Sequence, residues 1–130
     1  MTEQGLRILI VDDDKIQLML VKRIFMNFVK SREFPFETIV DCANSVDEAL
    51  CIIHSSECYD FVISDINMPE KSGFYLFHAL QEMNYPAKII ANSNNPDYRT
   101  ESIDAGCIDF KDKMSGPRAL FELVFCDALV

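Results

Sequence analysis

The sequence predicts a doubly wound α/β domain, with a five-stranded parallel sheet and five helices. Three observations lead there. Short β-rich apolar runs alternate with longer helical patterns. The strand candidates are apolar nearly throughout, as strands buried on both faces must be. The connections between elements are short, and no repeat, low-complexity tract or interdomain linker interrupts them.

The elements follow in order. LRILIV (6–11) is the first strand and ends at Asp12. KIQLMLVKRIFMNFVK (15–30) is free of Gly and Pro and reads as the first helix. It is apolar on more than one side: Leu18, Val21, Phe25 and Phe28 oppose Ile16, Leu20 and Ile24. One stripe must face the sheet; the other is either a patch for a partner or buried under neighbouring elements. ETIVDCA (37–43) is the second strand. Ser45-x-x-Glu48 is a capping box opening the second helix, whose Val46, Ala49, Leu50 and Ile53 share a face. DFVISD (60–65) is the third strand, and GFYLFHALQEM (73–83) the third helix with Leu76, Phe77 and Leu80 inward. Phe74, Tyr75 and Phe77 read as packing residues. AKIIANS (87–93) is the fourth strand. Asn95-Pro96 reads as an N-cap with proline at the first helical position, and Gly106 as the left-handed stop after about Ala105. CIDFK (107–111) is the fifth strand, and PRALFELVFCDAL (117–129) the fifth helix, carrying Leu120, Phe121, Val124, Phe125 and Leu129.

Bulk properties narrow the function. A chain of 130 residues is the size of one domain and can bury a core without staples. Its net charge of −9 opposes direct binding of nucleic acid or anionic membrane. The five cysteines form no C-x-x-C pair and no metal-ligand spacing, so free thiols in a reducing cytoplasm are expected. Acids follow the first apolar run at once, which is unlike a secretory leader, and no apolar stretch reaches the ~18 residues of a membrane span. His54 and His78 read as surface residues.

The chemistry gathers at one edge. Ligands of doubly wound sheets sit outside the carboxyl ends of the strands, near the switch in strand order. There the first strand delivers Asp12-Asp13-Asp14, the third Asp65, the fourth Ser93, and Lys113 follows the fifth. Any one acid after a strand can simply cap a helix, and Asp14 is best placed to do so. Clustered carboxylates resist joint ionisation unless a cation sits among them, and hard oxygen donors suit Mg²⁺ or Mn²⁺. A divalent ion and Lys113 would neutralise phosphoryl oxygens, leaving Asp65 as the nucleophile toward phosphorus.

At these residues the chain resembles the receiver domain of two-component response regulators. The matching stretches are ILIVDDD, DFVISDINMPEKSG, IIANS and GCIDFKDK, with ANSVDEAL similar to the family's entry into its second helix. The resemblance covers about residues 6–129 and implies a flavodoxin-like (βα)5 receiver fold. It implies that Asp65 is the phosphoacceptor, that Asp13 binds Mg²⁺ directly and Asp12 through water, and that the Asn67 backbone carbonyl is a further ligand. Ser93 would be the switch hydroxyl, Phe110 its aromatic partner, and Lys113 the family's lysine. The implied partner is a sensor histidine kinase or histidine phosphotransfer protein, which in the family contacts the first helix. The implied output surface is the fourth helix, fifth strand and fifth helix, which also serves for a homodimer.

The sequence departs from the pattern in places. Met114 stands where the family usually has proline after the lysine, so no cis peptide is expected there. Asn94 replaces a very small residue, Asn92 an apolar one, and the fourth helix is about two residues short. Two other readings stay open. One is a degenerate receiver that binds a partner without phosphorylation. The other is a hydrolase like the haloacid dehalogenases, with Asp12-x-Asp14 as its motif, although no cap segment or late acid pair follows.

Overall fold

The computed structural model describes residues 5–31, 37–56 and 58–128, with side chains as far as Cys126; Leu129 lies outside them. Strand β1 (Leu6–Val11) leads into helix α1 (Lys15–Ser31), and β2 (Thr38–Ala43) into α2 (Val46–Ser55). Next come β3 (Phe61–Ser64) and α3 (Gly73–Glu82), then β4 (Lys88–Ser93) and α4 (Arg99–Asp104), and last β5 (Asp109–Asp112) and α5 (Pro117–Ala128). The strands make one parallel sheet in the order β2-β1-β3-β4-β5. This is the expected doubly wound α/β fold. The order reverses at β1, which pairs with β2 on one side and β3 on the other, so the carboxyl ends of β1 and β3 flank the switch point.

Two cores follow from the period-2 alternation of the strands. Leu6, Ile8, Ile10, Phe61, Ile63 and Ile90 face α1 and α5. Leu9, Val11, Val62, Ile89 and Ala91 face α2, α3 and α4. Of the two stripes on α1, the one carrying Leu18, Val21 and Phe25 is buried. Phe25 meets Phe121 of α5 edge to face at 5.2 Å. Burying a side chain of that size contributes about 1.5–3 kcal/mol. The opposite stripe is open: Ile16 is 71% and Met19 69% exposed, with Leu20 and Ile24 also exposed.

Local chemistry explains most boundaries. The Asp14 carboxylate accepts from the amides of Ile16 and Gln17, so it is the cap of α1. Ser45 caps α2 by accepting from the Glu48 amide. Glu48 reaches back one residue further than a standard box, to the amide of Asn44. Asn95 accepts from the Asp97 amide, as expected of an N-cap, but the turn it opens is a 3₁₀ turn (Pro96–Tyr98), and α-helix begins only at Arg99. Pairing of β5 also begins late. Gly106 turns the chain at φ 103°, Cys107 donates back to Ser102, and Ile108 is the first residue to bond Ile89 of β4.

Tyr75 departs from its expected packing role. Leu76, Phe77 and Leu80 fill the buried face of α3, and Tyr75 projects away from it, half exposed beneath the Lys71 ammonium. Asn92 is buried, and its amide donates to the Lys111 carbonyl, which ties β4 to β5 and accounts for a polar residue in a buried strand. His54 and His78 are exposed. The five cysteines are free thiols, and burial pushes the Cys107 thiol up to about 12. Among the described residues no peptide bond is cis, and no helix is long and apolar enough to cross a membrane.

Candidate functional site

The parallel register carries the chemistry to one rim. Ser64, the last residue of β3, is level with Val11 of β1, so Asp65 emerges beside Asp12. The Asp65 amide donates to the Val11 carbonyl and the Asp12 amide to the Ala43 carbonyl, which fixes both backbones at the switch point. One carboxylate oxygen from each of Asp12, Asp13 and Asp65 lies within 4.8 Å of the others. Asp12 and Asp65 are buried, and Asp13 is exposed.

Lys113 closes the group. Asp112 accepts from the Met114 amide and turns the chain just after β5. That turn sends the Lys113 ammonium back over the sheet edge, where it donates to Asp12 Oδ2 at 2.9 Å and to Asp65 Oδ2 at 2.9 Å. The remaining oxygens are occupied from the backbone: Asp12 Oδ1 accepts from the Asp14 amide and Asp65 Oδ1 from the Ile66 amide. Burial holds the Asp65 carboxyl above its ordinary range; Lys113 pulls it down and Asp12 pushes it up again. Burial alone would lower the Lys113 ammonium, but its bonds to Asp12 and Asp65 outweigh that and leave it raised. Two acids thus share one internal counter-ion and keep one surplus negative charge. Three hard oxygen donors in that state suit a small divalent cation.

Among the described residues, Ser93, Phe110 and Asn67 make no hydrogen bond with this group and have other partners. Ser93 is buried at the end of β4, and its hydroxyl accepts from the Asn95 amide. Phe110 is buried against the α3–α4 side of the sheet, with the Arg99 guanidinium 5.2 Å from its ring centre and bonded 3.6 Å from Asp109. Asn67 lies in the loop after Asp65, exposed. That loop is tightly made. Glu70 adopts φ 70°, and the Lys71 amide donates to the Pro69 carbonyl across it. Gly73 closes the loop by donating to the Ile66 carbonyl.

Two contacts escaped the reading of the sequence. Lys71 pairs with Asp47 at 2.6 Å and so ties the loop to α2. The Tyr98 hydroxyl donates to Asn67 Oδ1 at 3.3 Å and ties it to the start of α4. Neither pair has a local signal, because the partners stand 24 and 31 residues apart.

A carboxylate cluster at the switch point of a sheet in this order places the chain in the class of flavodoxin-like doubly wound domains. Solved structures agree. The receiver domain protein from Methanospirillum hungatei JF-1, described as CheY-like, superposes with TM-score 0.79 at 25% identity, covering 95% of this chain and 93% of that one. TrrA, a response regulator from Thermotoga maritima in complex with Mg²⁺-BeF, gives TM-score 0.77 at 28% identity over 92% and 96% of the two chains.

The sequence profile of the response regulator receiver domain matches residues 8–125, and the chain belongs to that family. Among curated proteins it is 29% identical over 108 residues to the two-component response regulator ARR2 of Arabidopsis thaliana, and 30% identical over 108 residues to ORR26 of Oryza sativa subsp. japonica. Each match covers 82% of this chain but only 15% and 17% of the relative. Receiver domains are signalling switches that work with a histidine kinase or phosphotransfer protein.

Proposed function

We propose that this chain is a single receiver domain, acting in the cytoplasm, that takes a phosphoryl group on Asp65 and passes the change to a partner. The observation that carries this reading is the Lys113 ammonium 2.9 Å from both Asp12 and Asp65, with Asp13 in the same cluster. An Asp65 oxygen attacks phosphorus of a phosphohistidine, or of a small acyl phosphate. The bond from phosphorus to the donor breaks, its electron pair leaves with the donor, and a mixed carboxylic–phosphoric anhydride forms on Asp65. Lys113 gives up Asp65 Oδ2 and donates to a phosphoryl oxygen instead.

Asp12, Asp13, Asp65 and the Asn67 carbonyl would hold Mg²⁺, or Mn²⁺. Bound there, the ion supplies charge to offset the phosphoryl oxygens and the surplus negative charge of the acids.

The switch follows from the Ser93 hydroxyl. At rest it accepts from the Asn95 amide. To donate to a phosphoryl oxygen it must turn toward Asp65, which carries the start of α4 with it. The side chain of Phe110 then repositions under Arg99, and two arrangements of the α4-β5-α5 face exchange population. That face is the output surface, including a homodimer. The open stripe of Ile16, Met19 and Leu20 beside the acids fits docking of the helices that carry the donor histidine.

Incubation with acetyl phosphate and Mg²⁺ is expected to add one phosphoryl group. Borohydride reduction and peptide mass mapping are expected to place it at Asp65, and chelation of the metal to prevent it. Uptake at another residue, or none under conditions that label a known receiver domain, overturns the reading.

A further inference from the structure

We infer that Tyr98 is a positioning residue for the acid site, holding Asn67 through its hydroxyl; this rests on the function proposed above. Asn67 is exposed on the loop after Asp65, and among the described residues its side chain has no hydrogen bond other than the one from Tyr98. The loop itself carries Glu70 at φ 70°, a conformation that a residue with a side chain adopts reluctantly. Ile66 is buried and Met68 packs on the core to either side, so the Tyr98 bond has only the exposed Asn67 side chain left to fix.

Tyr98 is suited to supply that contact because it is itself held at three points. Its ring meets Phe74 edge to face at 5.5 Å, and Phe74 in turn meets the buried Phe77 at 6.0 Å. Its carbonyl accepts from the Ser102 hydroxyl at 2.7 Å. Its amide donates to the Asn95 carbonyl, closing the turn that Asn95 caps. The ring is therefore anchored on α3 and the backbone on α4. The hydroxyl arrives at Asn67 already placed, so the bond costs little side-chain entropy.

The consequence is mechanical. Asn67 belongs to the loop that supplies a metal ligand, and Tyr98 to the segment that follows Ser93. Fixing the side chain of residue 67 restrains the direction of its carbonyl. One hydroxyl thereby links the metal end of the site to the segment that moves when Ser93 turns, and the coupling runs both ways.

Tyr98→Phe keeps the ring packing and deletes only the hydroxyl. Calorimetric titration of the purified protein with magnesium chloride is expected to show affinity lowered on the order of fivefold, the worth of one net hydrogen bond. Asn67→Ala is expected to lower it about as much, and the double variant no further. Urea midpoints in chelator should match the unaltered protein, because the bond lies at the surface. Equal magnesium affinity in Tyr98→Phe, or an undiminished effect of Tyr98→Phe on the Asn67→Ala background, overturns the inference while the proposed function stands. If the unaltered protein neither binds magnesium nor accepts phosphate, the proposed function is what fails, and this role goes with it.

Discussion

Asp65→Asn is expected to abolish phosphoryl uptake from acetyl phosphate and, in metal-free buffer, to leave the fold as stable as before or more so at neutral pH. The first half follows from chemistry, since a neutral amide oxygen cannot form the anhydride. The second half follows from electrostatics. Asp12, Asp65 and Lys113 together carry one surplus negative charge, and the substitution removes it while Lys113 keeps its bond to Asp12. The pH dependence gives the sign. Burial raises the Asp65 carboxyl above its unfolded value, so the folded state holds that proton more tightly. Its contribution to stability is complete below the unfolded pKa and is lost as pH rises through the folded one. The stability of Asp65→Asn relative to the parent should therefore climb across that window and level off above it. Urea denaturation at a series of pH values with chelator present measures this. A relative stability that falls as pH rises would mean that the acid is stabilised as its anion, contrary to its burial beside Asp12.

Gly73→Ala is expected to cost about 3 kcal/mol and to weaken phosphoryl uptake as well. A Cβ built on Gly73 would stand 2.2 Å from the Asp65 carbonyl oxygen and 3.0 Å from the Ile66 Cα. Both are backbone atoms, so no side chain can swing aside to make room. The clash is relieved only by moving α3 away from the strand end or by turning the peptide after Asp65. The first opens the packing of Leu76 and Phe77, which are fully buried. The second moves the residue on which the chemistry depends. Chemical denaturation reads the first effect and the acetyl phosphate labelling rate the second. Parent-like values in both would show that the close approach is not needed.

The same glycine shows what kind of information a sequence carries. Its close approach is to Asp65 and Ile66 at the other end of one short loop, so the requirement is local. The capping residues Asp14, Ser45 and Asn95 were legible for that reason: each bonds an amide two or three residues away. The ends of β1 and β3 were legible because their apolar runs stop where acids begin. Helix four and strand five were the least so. A helix pattern cannot distinguish a 3₁₀ turn from α-helix at Pro96–Tyr98, and the start of β5 depends on where β4 leaves a free carbonyl.

What the chain determined by itself was the set of elements, their winding, and the acids and lysine that would come to one rim. Those are consequences of side-chain period, caps and the one favoured hand of crossover, all written within a few residues or imposed on every such chain. Only the folded molecule decided which stripe of α1 is buried, that Lys113 lies between Asp12 and Asp65, that Glu70 takes a left-handed conformation, and that Tyr98 reaches Asn67. The physical reason is separation along the chain. Lys113 meets partners 101 and 48 residues away, and such contacts depend on strand register and helix packing rather than on any local preference.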